Sequence, residues 1–513
     1  MNEDKVAQSF EAMNLNQPQT PPPSAAGQID EETLKHLQQF DSDEADGQSG
    51  VSELAAAPLF SSKVKRAFQS ISAPAKPVIP AYGLLGLRRA AFNGPEIIST
   101  DFPPHDNLVY ANLQHPWSAF ICGQQGAGKS HTMSCLLENA LLNDNDMGPN
   151  AAPAAGVVFH YDKFTSPDAI QVCEAAYLCS KGIKVQVLVS PSNLENMKRR
   201  YENLPGWPAG APRPEVVPLL LKGDQLNVSK LKLLMGMDED NKSPPLYMAV
   251  VNKVLKKLAV RPGANAVVDY HEMKQQITHE GLTESQMSFL NMRFGLIEWF
   301  LQRTAEATVR AQARKIEFQP GTILIVDLSC PFVTETDACL LFSIFLQIFL
   351  GQRGQRPLIV ALDEAHKFLT EAPPAKAFTD DLITIVREQR HQGSRVVIAT
   401  QEPIISTQLL NLCNVAVVHQ FQSPEWYQVL KQHLAALAPH KNGAQDANDV
   451  FKTIVRLKMG EALVFCPKAC FDVDAGEDKP KFKQLEDGYV KIKIRKRITA
   501  DGGKSIVASE AGN

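Results

Sequence analysis

The sequence has few of the features that would assign it to a secreted, zinc-binding or membrane protein. Its nine cysteines show no zinc-site spacing, Cys466-x-x-x-Cys470 being the nearest approach, and their odd number argues against a disulfide framework. The N-terminus has no apolar signal core. The most apolar helix-like run, residues 338–350, is too short to cross a bilayer. These absences predict a soluble intracellular protein with reduced thiols and no membrane span.

Positive charge is also in short supply. The chain carries 52 lysines and arginines against 56 acidic residues, which gives a formal net charge of −4. Bulk charge therefore does not favour nucleic-acid binding, and any surface for DNA has to be a local patch.

Large apolar residues are scarce in the first fifty positions, which hold ten acidic residues, two lysines and a PQTPPPS run. Such a segment cannot bury enough apolar surface to offset the entropy lost on ordering it. We expect residues 1–80 to form a disordered acidic tail. The tail either binds a protein partner or is a solvated extension of the chain.

From about residue 81 onward, short apolar runs rich in β-branched residues alternate with helical segments. Examples are SAFIC at 118–122, GTILIVDLS at 321–329 and PLIVALDE at 357–364. Buried strands linked by helices predict an α/β protein with a mainly parallel sheet. The predicted organisation is a core at 81–190 and 321–470, a mostly helical insertion at 191–320, and a C-terminal strand with a flexible tail at 471–513.

The strongest motif is GQQGAGKS at 123–130, which fits G-x-x-x-x-G-K-[ST], follows the strand SAFIC and precedes a helix. Its glycines allow consecutive backbone N–H groups to point at one anion, and the helix start adds its positive dipole end. In this pattern Lys129 reaches the β- and γ-phosphates, and the Ser130 hydroxyl ligates Mg²⁺. The predicted ATP contacts are Gly123, Gln124, Gln125, Gly126, Ala127, Gly128, Lys129, Ser130 and His131.

A nucleotide site of this kind also needs an apolar strand that ends in an aspartate. PLIVALDE supplies Asp363 to support Mg²⁺, and Glu364 follows it as a candidate general base for the attacking water. Asp327, at the end of GTILIVD, is a rival that lacks the second carboxylate, and we interpret its strand as a neighbour.

Polar residues on either side of the next strand supply further catalytic candidates. Gln401, at the end of that strand, is suited to sensing the γ-phosphate or holding the water. Arg390, and after it Arg387, are candidates for an arginine that neutralises charge late in phosphoryl transfer, in cis or from a neighbour. The plain alternatives are a turn-capping glutamine and a surface helix with scattered arginines.

The letters Asp363-Glu364-Ala365-His366 also spell the signature of the DEAH-box RNA helicases. Such helicases need a second RecA-like domain that carries an arginine motif, and the sequence after Gln401 has no such motif. We therefore assign function to the acid pair and interpret His366 as a packing residue.

Four segments together resemble the HerA/FtsK superfamily of hexameric ATPase motors, most closely its HerA branch: GQQGAGKS, PGTILIVDLS, PLIVALDEAHKF and VREQRHQGSRVVIATQEP. The resemblance covers roughly residues 105–425. It implies a RecA-like P-loop NTPase core whose sensing strand lies between the cradle and acid strands. It also implies hydrolysis of ATP with Mg²⁺, a hexameric ring around DNA, and an arginine that reaches the neighbour's nucleotide. The alternative is a nucleotide-switched scaffold that does not translocate.

Near the C-terminus, GYVKIKIRKRI at 488–498 alternates charged and apolar residues. The alternation predicts an edge strand with a basic face. Its cations either touch phosphates or guard a solvated edge against aggregation: Lys491, Lys493, Arg495, Lys496 and Arg497.

Overall fold

The structure is a computed structural model that describes most of residues 53–500. The segments within that range that it does not describe are 72–78, 94–95, 101–102, 144, 164–165, 167–169, 223–225, 227, 236–245, 261–267, 302–304, 315, 317, 353, 355, 404, 438–443 and 475–480. The predictions for the acidic tail up to residue 52 and for residues 501–513 lie outside the described residues.

The strands are β1 (Leu59–Ser61), β2 (Tyr82–Asn93), β3 (Glu96–Ser99), β4 (Leu108–Asn112), β5 (Ser118–Cys122), β6 (Ala155–His160), β7 (Lys184–Val189), β8 (Glu215–Pro218), β9 (Thr322–Asp327), β10 (Leu358–Asp363), β11 (Ser394–Thr400), β12 (Val415–Val418), β13 (Glu461–Phe465), β14 (Cys470–Asp474), β15 (Lys481–Gln484) and β16 (Gly488–Ile494).

The α-helices are α1 (Ser62–Ile71), α2 (Lys129–Leu141), α3 (Leu194–Glu202), α4 (Val228–Leu234), α5 (Leu246–Ala259), α6 (Tyr270–Thr278), α7 (Glu284–Phe300), α8 (Ala307–Gln312), α9 (Glu335–Gln352), α10 (Pro373–Gln392), α11 (Thr407–Leu412), α12 (Pro424–His433) and α13 (Ala444–Val455). None of the described helices is long and apolar enough to cross a bilayer.

Within the described residues the strands form one sheet, whose parallel part runs in the order β12-β5-β11-β10-β6-β9-β7-β8. The predicted α/β class with a mainly parallel sheet is therefore confirmed. Parallel strands need crossover connections, and the helical segments of the sequence provide them.

Helices cover both faces of the parallel strands, so the strands are apolar on both sides. In β10, Leu358 and Val360 belong to one buried cluster, whereas Ile359 and Ala361 belong to the other. Helix α2 packs in the second cluster, and the long helices α9 and α10 pack in the first. Burying a side chain such as Leu or Ile stabilises the fold by roughly 1.5–3 kcal/mol. Because both faces of each parallel strand are buried, these apolar contacts fix the position of every strand, and hence which strand ends lie at the same edge of the sheet.

Beyond β12 the sheet continues with antiparallel strands in the order β13-β16-β2-β4-β1. The predicted edge strand is therefore wrong, since β16 lies between β13 and β2. Two basic residues of the segment 488–498 form ion pairs: Lys491 pairs with Glu461 at 2.9 Å, and Arg495 pairs with Glu138 at 2.7 Å. The local alternation of charge could not reveal these partners because β2 lies some four hundred residues earlier in the chain.

Residues 53–71 are ordered in the structure, although the sequence predicts a disordered tail up to residue 80. Leu59 and Phe60 in β1 are buried, and β1 pairs with β4 and with β14. Lys65 in α1 lies over the ring of Tyr82, with Nζ 4.4 Å from the ring centroid. The difference arises because the segment is stabilised by distant strands that its own composition does not indicate.

The stretch predicted as a mostly helical insertion contains helices α3–α8 and also β8, which pairs with β7 at the end of the parallel strands. Val251, Leu255 and Phe294 from its helices share a buried cluster with α9. The nine cysteines are free thiols as expected, and all of them except Cys413 are buried.

Candidate nucleotide-binding site

The carboxyl ends of three neighbouring strands bring the predicted motifs to one edge of the sheet. β11 lies between β5, which leads into the glycine loop, and β10, which ends at the acid pair. The register pairs Thr400 with Cys122 on one side and Ile398 with Leu362 on the other. The position of the sensing strand between the cradle and acid strands, which the resemblance implies, is therefore confirmed.

The glycine loop, residues 123–128, connects β5 to α2 as the motif predicts. Gly128 directly precedes α2 with a φ of 115°, a conformation that strongly favours glycine. At Gly123 an added Cβ would lie 2.7 Å from the Cβ of His419, so a larger residue would push the loop off the sheet. The loop thus delivers the first turn of α2, with its N–H groups and positive dipole end, to the sheet edge.

Lys129 is the first residue of α2 and is only 4% exposed. Its Nζ donates a hydrogen bond to the backbone carbonyl of Gln124, 3.2 Å away. Burial lowers the pKa of Lys129, while the negative charges of Glu364 and Asp363 oppose that shift. The lysine therefore interacts with both halves of the predicted site, the loop through a hydrogen bond and the acid pair through charge.

A buried histidine ties the glycine loop and α2 to the antiparallel part of the sheet. The Nδ1 of His419 lies 2.9 Å from the carbonyl oxygen of Glu461, and its Nε2 lies 2.9 Å from the Oγ1 of Thr132. Burial lowers the pKa of His419 to about 4. The ring is therefore neutral at pH 7, so Nδ1–H donates to Glu461 and Nε2 accepts from Thr132.

Asp363 ends β10 and is 2% exposed. Its Oδ2 lies 3.5 Å from the Nδ1 of His160 and accepts a hydrogen bond from the thiol of Cys173 at 3.7 Å. Burial raises the pKa of Asp363, but the hydrogen bond and charge of His160 outweigh it and hold the pKa below its usual value.

The ionisation of His160 matches that of Asp363. Burial lowers the pKa of His160, yet the carboxylates of Asp327 and Asp363 raise it to about 9. At neutral pH the histidine is therefore an imidazolium, and it lies between two carboxylates.

Glu364 combines a strained backbone with a buried carboxylate. Its φ of 52° places a non-glycine residue in the left-handed region, which costs about 1–3 kcal/mol and is concentrated at functional sites. The side-chain amide of Gln401 donates to this carboxylate, with Nε2 3.3 Å from each oxygen. Gln401 therefore contacts the candidate base directly.

His366, interpreted from sequence as a packing residue, contacts both of these groups. Its Nδ1 lies 3.4 Å from the backbone nitrogen of Gln401 and 3.5 Å from Oε2 of Glu364. Burial lowers the pKa of His366, and the charge of Glu364 only partly opposes this. In the neutral ring, an Nδ1 that accepts from the N–H of Gln401 cannot donate to Glu364, so His366 supports the loop around the base.

The donor chemistry at Asp363 fits magnesium. Among the described residues, Oδ1 of Asp363 is buried without a hydrogen-bond partner, and Mg²⁺ prefers oxygen ligands. Ser130, the second predicted ligand, is half-buried in the first turn of α2. His160, Cys173 and Asp363 also offer three ligand atoms within 4.8 Å of one another, but nitrogen and sulfur donors suit softer metals.

The other predicted loop residues differ in exposure and contacts. Gln125 and Gly126 are exposed, whereas Ala127 is buried. The side-chain amide of Gln124 lies 3.4 Å from Oε1 of Gln420. The Nε2 of His131 lies 2.7 Å from the carbonyl oxygen of Arg495, so its ring is engaged by the segment after β16 and only its backbone is left for a nucleotide.

The structure does not bring Arg387 and Arg390 to this site. Both are exposed near the C-terminal end of α10, which precedes the amino end of β11. Because α10 leads directly into β11, its last turn lies at the amino end of that strand, and the length of β11, roughly 20 Å at about 3.3 Å per residue, separates that end from Gln401. Burial lowers the pKa of His115, and the nearby charges of Arg390 and Arg395 lower it further, which places Arg390 near the amino end of β5.

The segment after β16 is joined to α2 by hydrogen bonds to one buried carboxylate. Glu138 in α2 is fully buried and accepts from Arg495 at 2.7 Å and from the hydroxyl of Thr499 at 2.6 Å. The backbone N–H of Ile498 donates to the same carboxylate at 3.0 Å. Burial raises the pKa of Glu138, but Arg495 and Thr499 outweigh it and hold the pKa below its usual value.

His160 and His419 are the site residues that the motifs do not indicate. Each ends or directly follows an apolar strand, in GVVFH and in NVAVVH. A polar residue at the end of a buried strand is the same signal that identifies Asp363. Applied to every parallel strand, that signal also identifies His160, His419 and Asp327.

No family model and no curated protein matches the chain. Solved structures are similar to it. VirB4 of Thermoanaerobacter pseudethanolicus is 12% identical, with a TM-score of 0.45 over 80% of this chain and 96% of that one. The genome packaging NTPase B204 from Sulfolobus turreted icosahedral virus 2, in complex with ATP-gammaS, is 10% identical, with a TM-score of 0.20 over 32% of this chain and 67% of that one.

EssC (ATPases 2 and 3) from Geobacillus thermodenitrificans is 14% identical, with a TM-score of 0.26 over 82% of this chain and 45% of that one. At these identities the similarity is one of fold alone.

Proposed function

We propose that the protein is an ATP hydrolase that uses Mg²⁺ and works as an oligomeric motor that translocates on DNA or remodels it. One observation carries the proposal: a glycine loop with a buried lysine, an Asp-Glu pair and a strand-end glutamine meet at one edge of a parallel sheet. Each group is a residue type that phosphoryl transfer requires at that place.

The bound triphosphate lies where the loop N–H groups, the first turn of α2 and Lys129 supply positive charge. The Nζ of Lys129 exchanges the neutral carbonyl of Gln124 for a charged phosphate oxygen, which is the stronger acceptor. Asp363 and Ser130 would hold a magnesium ion, which would supply positive charge to offset the negative charge of the phosphates.

Glu364 takes a proton from the water that attacks the γ-phosphate. Without nucleotide, the amide of Gln401 donates to the Glu364 carboxylate and so competes with that water. A γ-phosphate gives the amide a second acceptor. Gln401 then turns to the phosphate, and the carboxylate is freed for the water.

Oligomerisation supplies the arginine. Because Arg387 and Arg390 lie at the opposite end of β11 from Gln401, either one reaches a nucleotide only when a neighbouring chain presents it. A ring also adds the modest charges of several chains along a DNA channel, which offsets the acidic balance of one chain.

A nucleotide-switched scaffold without translocation is the second candidate. The contact between Gln401 and Glu364 favours it. If Gln401 holds the base Glu364 when no nucleotide is bound, ATP turnover is slow, and the state of the protein depends mainly on whether nucleotide is bound. A DEAH-type RNA helicase is the less favoured reading. Among the described residues after Gln401, β12, β13 and β16 extend the same sheet and supply no second parallel core.

Turnover of ATP by the full chain tests the proposal. We expect Mg²⁺-dependent release of phosphate, stimulation by duplex DNA at low salt, and a closed oligomer by native mass spectrometry with nucleotide. Lys129→Met should abolish nucleotide binding, whereas Lys376→Met, at a side chain that is 62% exposed, should not. Turnover without DNA stimulation or assembly would support the scaffold, and absence of turnover would overturn the hydrolase.

A further inference from the structure

The turn that joins α13 to β13, residues 456–460, lies against the glycine loop. The backbone N–H of Gly460 donates to the carbonyl oxygen of Ala127, 3.3 Å away. A Cβ added at Gly128 would lie 3.5 Å from the Cα of Gly460, so even a methyl group there would be in van der Waals contact with the turn. A segment far along the chain therefore borders the loop that is expected to hold the phosphates.

This turn and the acid pair lie on opposite sides of the glycine loop. β5, which leads into the loop, has β11 and then β10 on one side, and β12 and then β13 on the other. β13 runs antiparallel to β12, so the amino end of β13 lies at the same edge of the sheet as the carboxyl ends of the parallel strands. The 456–460 turn, which leads into that end, is therefore at the nucleotide edge but away from Asp363 and Glu364.

The direction of a bound nucleotide follows from these positions. In the proposed hydrolysis of ATP, on which this inference rests, the γ-phosphate lies beside the acid pair and the glycine loop holds the phosphates next to it. A triphosphate is a linear chain, so its α-phosphate, ribose and base extend from the loop away from the acid pair. That direction leads to the side on which the 456–460 turn lies.

A glutamine contact adds to the placement of the turn beside the loop. The side-chain amide of Gln420 donates to the carbonyl oxygen of Val455, at the end of α13, at 2.8 Å. Its Oε1 lies 3.4 Å from the Nε2 of Gln124 in the glycine loop. The turn is therefore held next to the loop at both of its ends, by Gln420 at the first and by Gly460 at the second.

The turn combines a fixed backbone with an exposed apolar side chain. The N–H of Ile494 in β16 donates to the carbonyl oxygen of Gly460 at 2.9 Å, and Nζ of Lys493 donates to the carbonyl oxygen of Met459. Met459 is nevertheless 71% exposed. Because the backbone is held in place before a ligand arrives, little conformational entropy is lost when an apolar ligand covers this side chain.

We propose that Met459 is a specificity-determining residue that packs against the base of the bound nucleotide and favours a purine. A thioether side chain is apolar and polarisable, and it packs favourably against aromatic rings. A purine has a larger flat ring system than a pyrimidine and therefore covers more of the side chain. The inference extends the proposed function, because it names the part of the chain that recognises the base.

A purely structural role for the turn predicts a different result. The contact with the glycine loop is made by the backbones of Gly460 and Ala127, so a structural turn needs no particular side chain at position 459. Truncation of Met459 leaves that backbone contact in place and removes the surface offered to the base, so it distinguishes the two roles.

The test compares the affinities of the full chain for ATP, CTP and inorganic tripolyphosphate, measured by isothermal titration calorimetry in EDTA. Met459→Ala should weaken ATP binding about tenfold, because it removes most of the apolar surface offered to the purine. CTP binding should weaken by a smaller factor. Tripolyphosphate has no base and the glycine loop is untouched, so its binding should stay within about twofold of wild type. Met459→Leu keeps the apolar volume and should recover most of the loss.

The matched control is Met292→Ala on α7, at a methionine that is 72% exposed, and it should leave all three affinities unchanged. Wild-type ATP affinity in Met459→Ala would overturn the inference. Equal losses for ATP and tripolyphosphate would also overturn it, because they would show that Met459 supports the loop and does not contact the base. An equal loss for CTP would overturn the preference for purines.

Binding in EDTA separates this inference from the proposed function, because it requires neither magnesium nor turnover. A wild-type chain that binds ATP without hydrolysing it would overturn the hydrolase, yet a selective loss of ATP binding by Met459→Ala would still support the base contact. An active wild type whose ATP affinity that variant retains would overturn the base contact alone. A wild type that binds no ATP would overturn both.

Discussion

The two ends of the same parallel strands differ in how they hold charge. At the carboxyl ends, Lys129, Asp363 and Glu364 are at most 5% exposed, and each contacts another polar group. At the amino ends, Arg387 and Arg390 are exposed on α10. Buried and paired charges are fixed in place before a ligand arrives, whereas exposed arginines are free to meet another molecule.

Under the proposed function, this difference predicts how the catalytic parts divide between chains. One chain would supply the cradle, the acid pair and the sensor from the carboxyl ends of β5, β10 and β11. In the proposed oligomer an arginine from the amino ends would complete a site only across an interface, so we expect the amino-end surface of one chain to lie against the carboxyl-end surface of the next.

The largest expected effect comes from the exposed arginines near the amino ends of the parallel strands. If Arg390 acts in trans, Arg390→Ala should lower ATP turnover about a thousandfold, the effect of removing an arginine finger. Because Lys129→Ala chains keep Arg390, mixing the two variants should restore part of the turnover in mixed assemblies. Phosphate release over a range of mixing ratios measures this.

Arg387→Ala, one helical turn earlier on α10, distinguishes the two candidate arginines, and Arg310→Ala on α8 serves as a surface control. Full ATP turnover by both Arg390→Ala and Arg387→Ala would show that the amino ends of the strands supply no catalytic arginine. Mixtures that never regain activity would argue against action in trans.

At the buried end, Glu364→Gln should slow turnover about a hundredfold or more, since general base catalysis contributes about 10²–10⁴. Gln keeps the shape of the side chain but cannot take the proton from water. Nucleotide binding should persist, so the variant should hold ATP, as measured by quenched-flow turnover and filter binding. Turnover that survives this change would remove Glu364 from the mechanism.

A smaller effect is expected at the sensor. Gln401→Ala removes a hydrogen bond to a charged group, worth about 1.5–3 kcal/mol, so turnover should fall about tenfold or somewhat more. ATP affinity in the absence of Mg²⁺ should change little. Gln408→Ala, an exposed glutamine on α11, is the matched control. An increase in turnover would show instead that Gln401 chiefly restrains Glu364.

The two strand ends also differ in how far the sequence predicts them. The glycine loop and the acid pair are local patterns, each bound to one strand end, so Lys129, Asp363, Glu364 and Gln401 converge as expected. The distance from Arg390 to that site depends on the direction in which β11 runs, and a motif does not contain that information. The sequence could therefore propose Arg390 or Arg387 as a catalytic arginine but could not decide between action in cis and in trans.

Long-range partners account for the remaining differences. His160 is placed beside the acid pair by strands that end at residues 327 and 363, whereas its own segment shows only an apolar run ending in histidine. The basic C-terminal strand is an interior strand because β2 covers it. In each case the deciding contact joins residues hundreds of positions apart, which periodicity and composition do not record.

The smallest expected effect concerns Glu138, the buried carboxylate that joins α2 to the segment after β16. The folded pKa of Glu138 lies below the ordinary value of 4.5, so its ion pair with Arg495 contributes fully to stability above that value and is lost as the pH falls through the folded pKa. Urea denaturation of the wild type should therefore show a declining free energy of unfolding from about pH 5 downward. Glu138→Gln should be less stable at neutral pH, because it leaves Arg495 without its carboxylate, and its free energy of unfolding should decline less steeply as the pH falls.

Glu195→Gln, at a side chain that is 75% exposed, is the control and should keep the wild-type slope. Equal slopes for Glu138→Gln and wild type would mean that the C-terminal segment holds α2 by packing and backbone hydrogen bonds, and that buried charge distinguishes the carboxyl ends of the strands only within the nucleotide site itself.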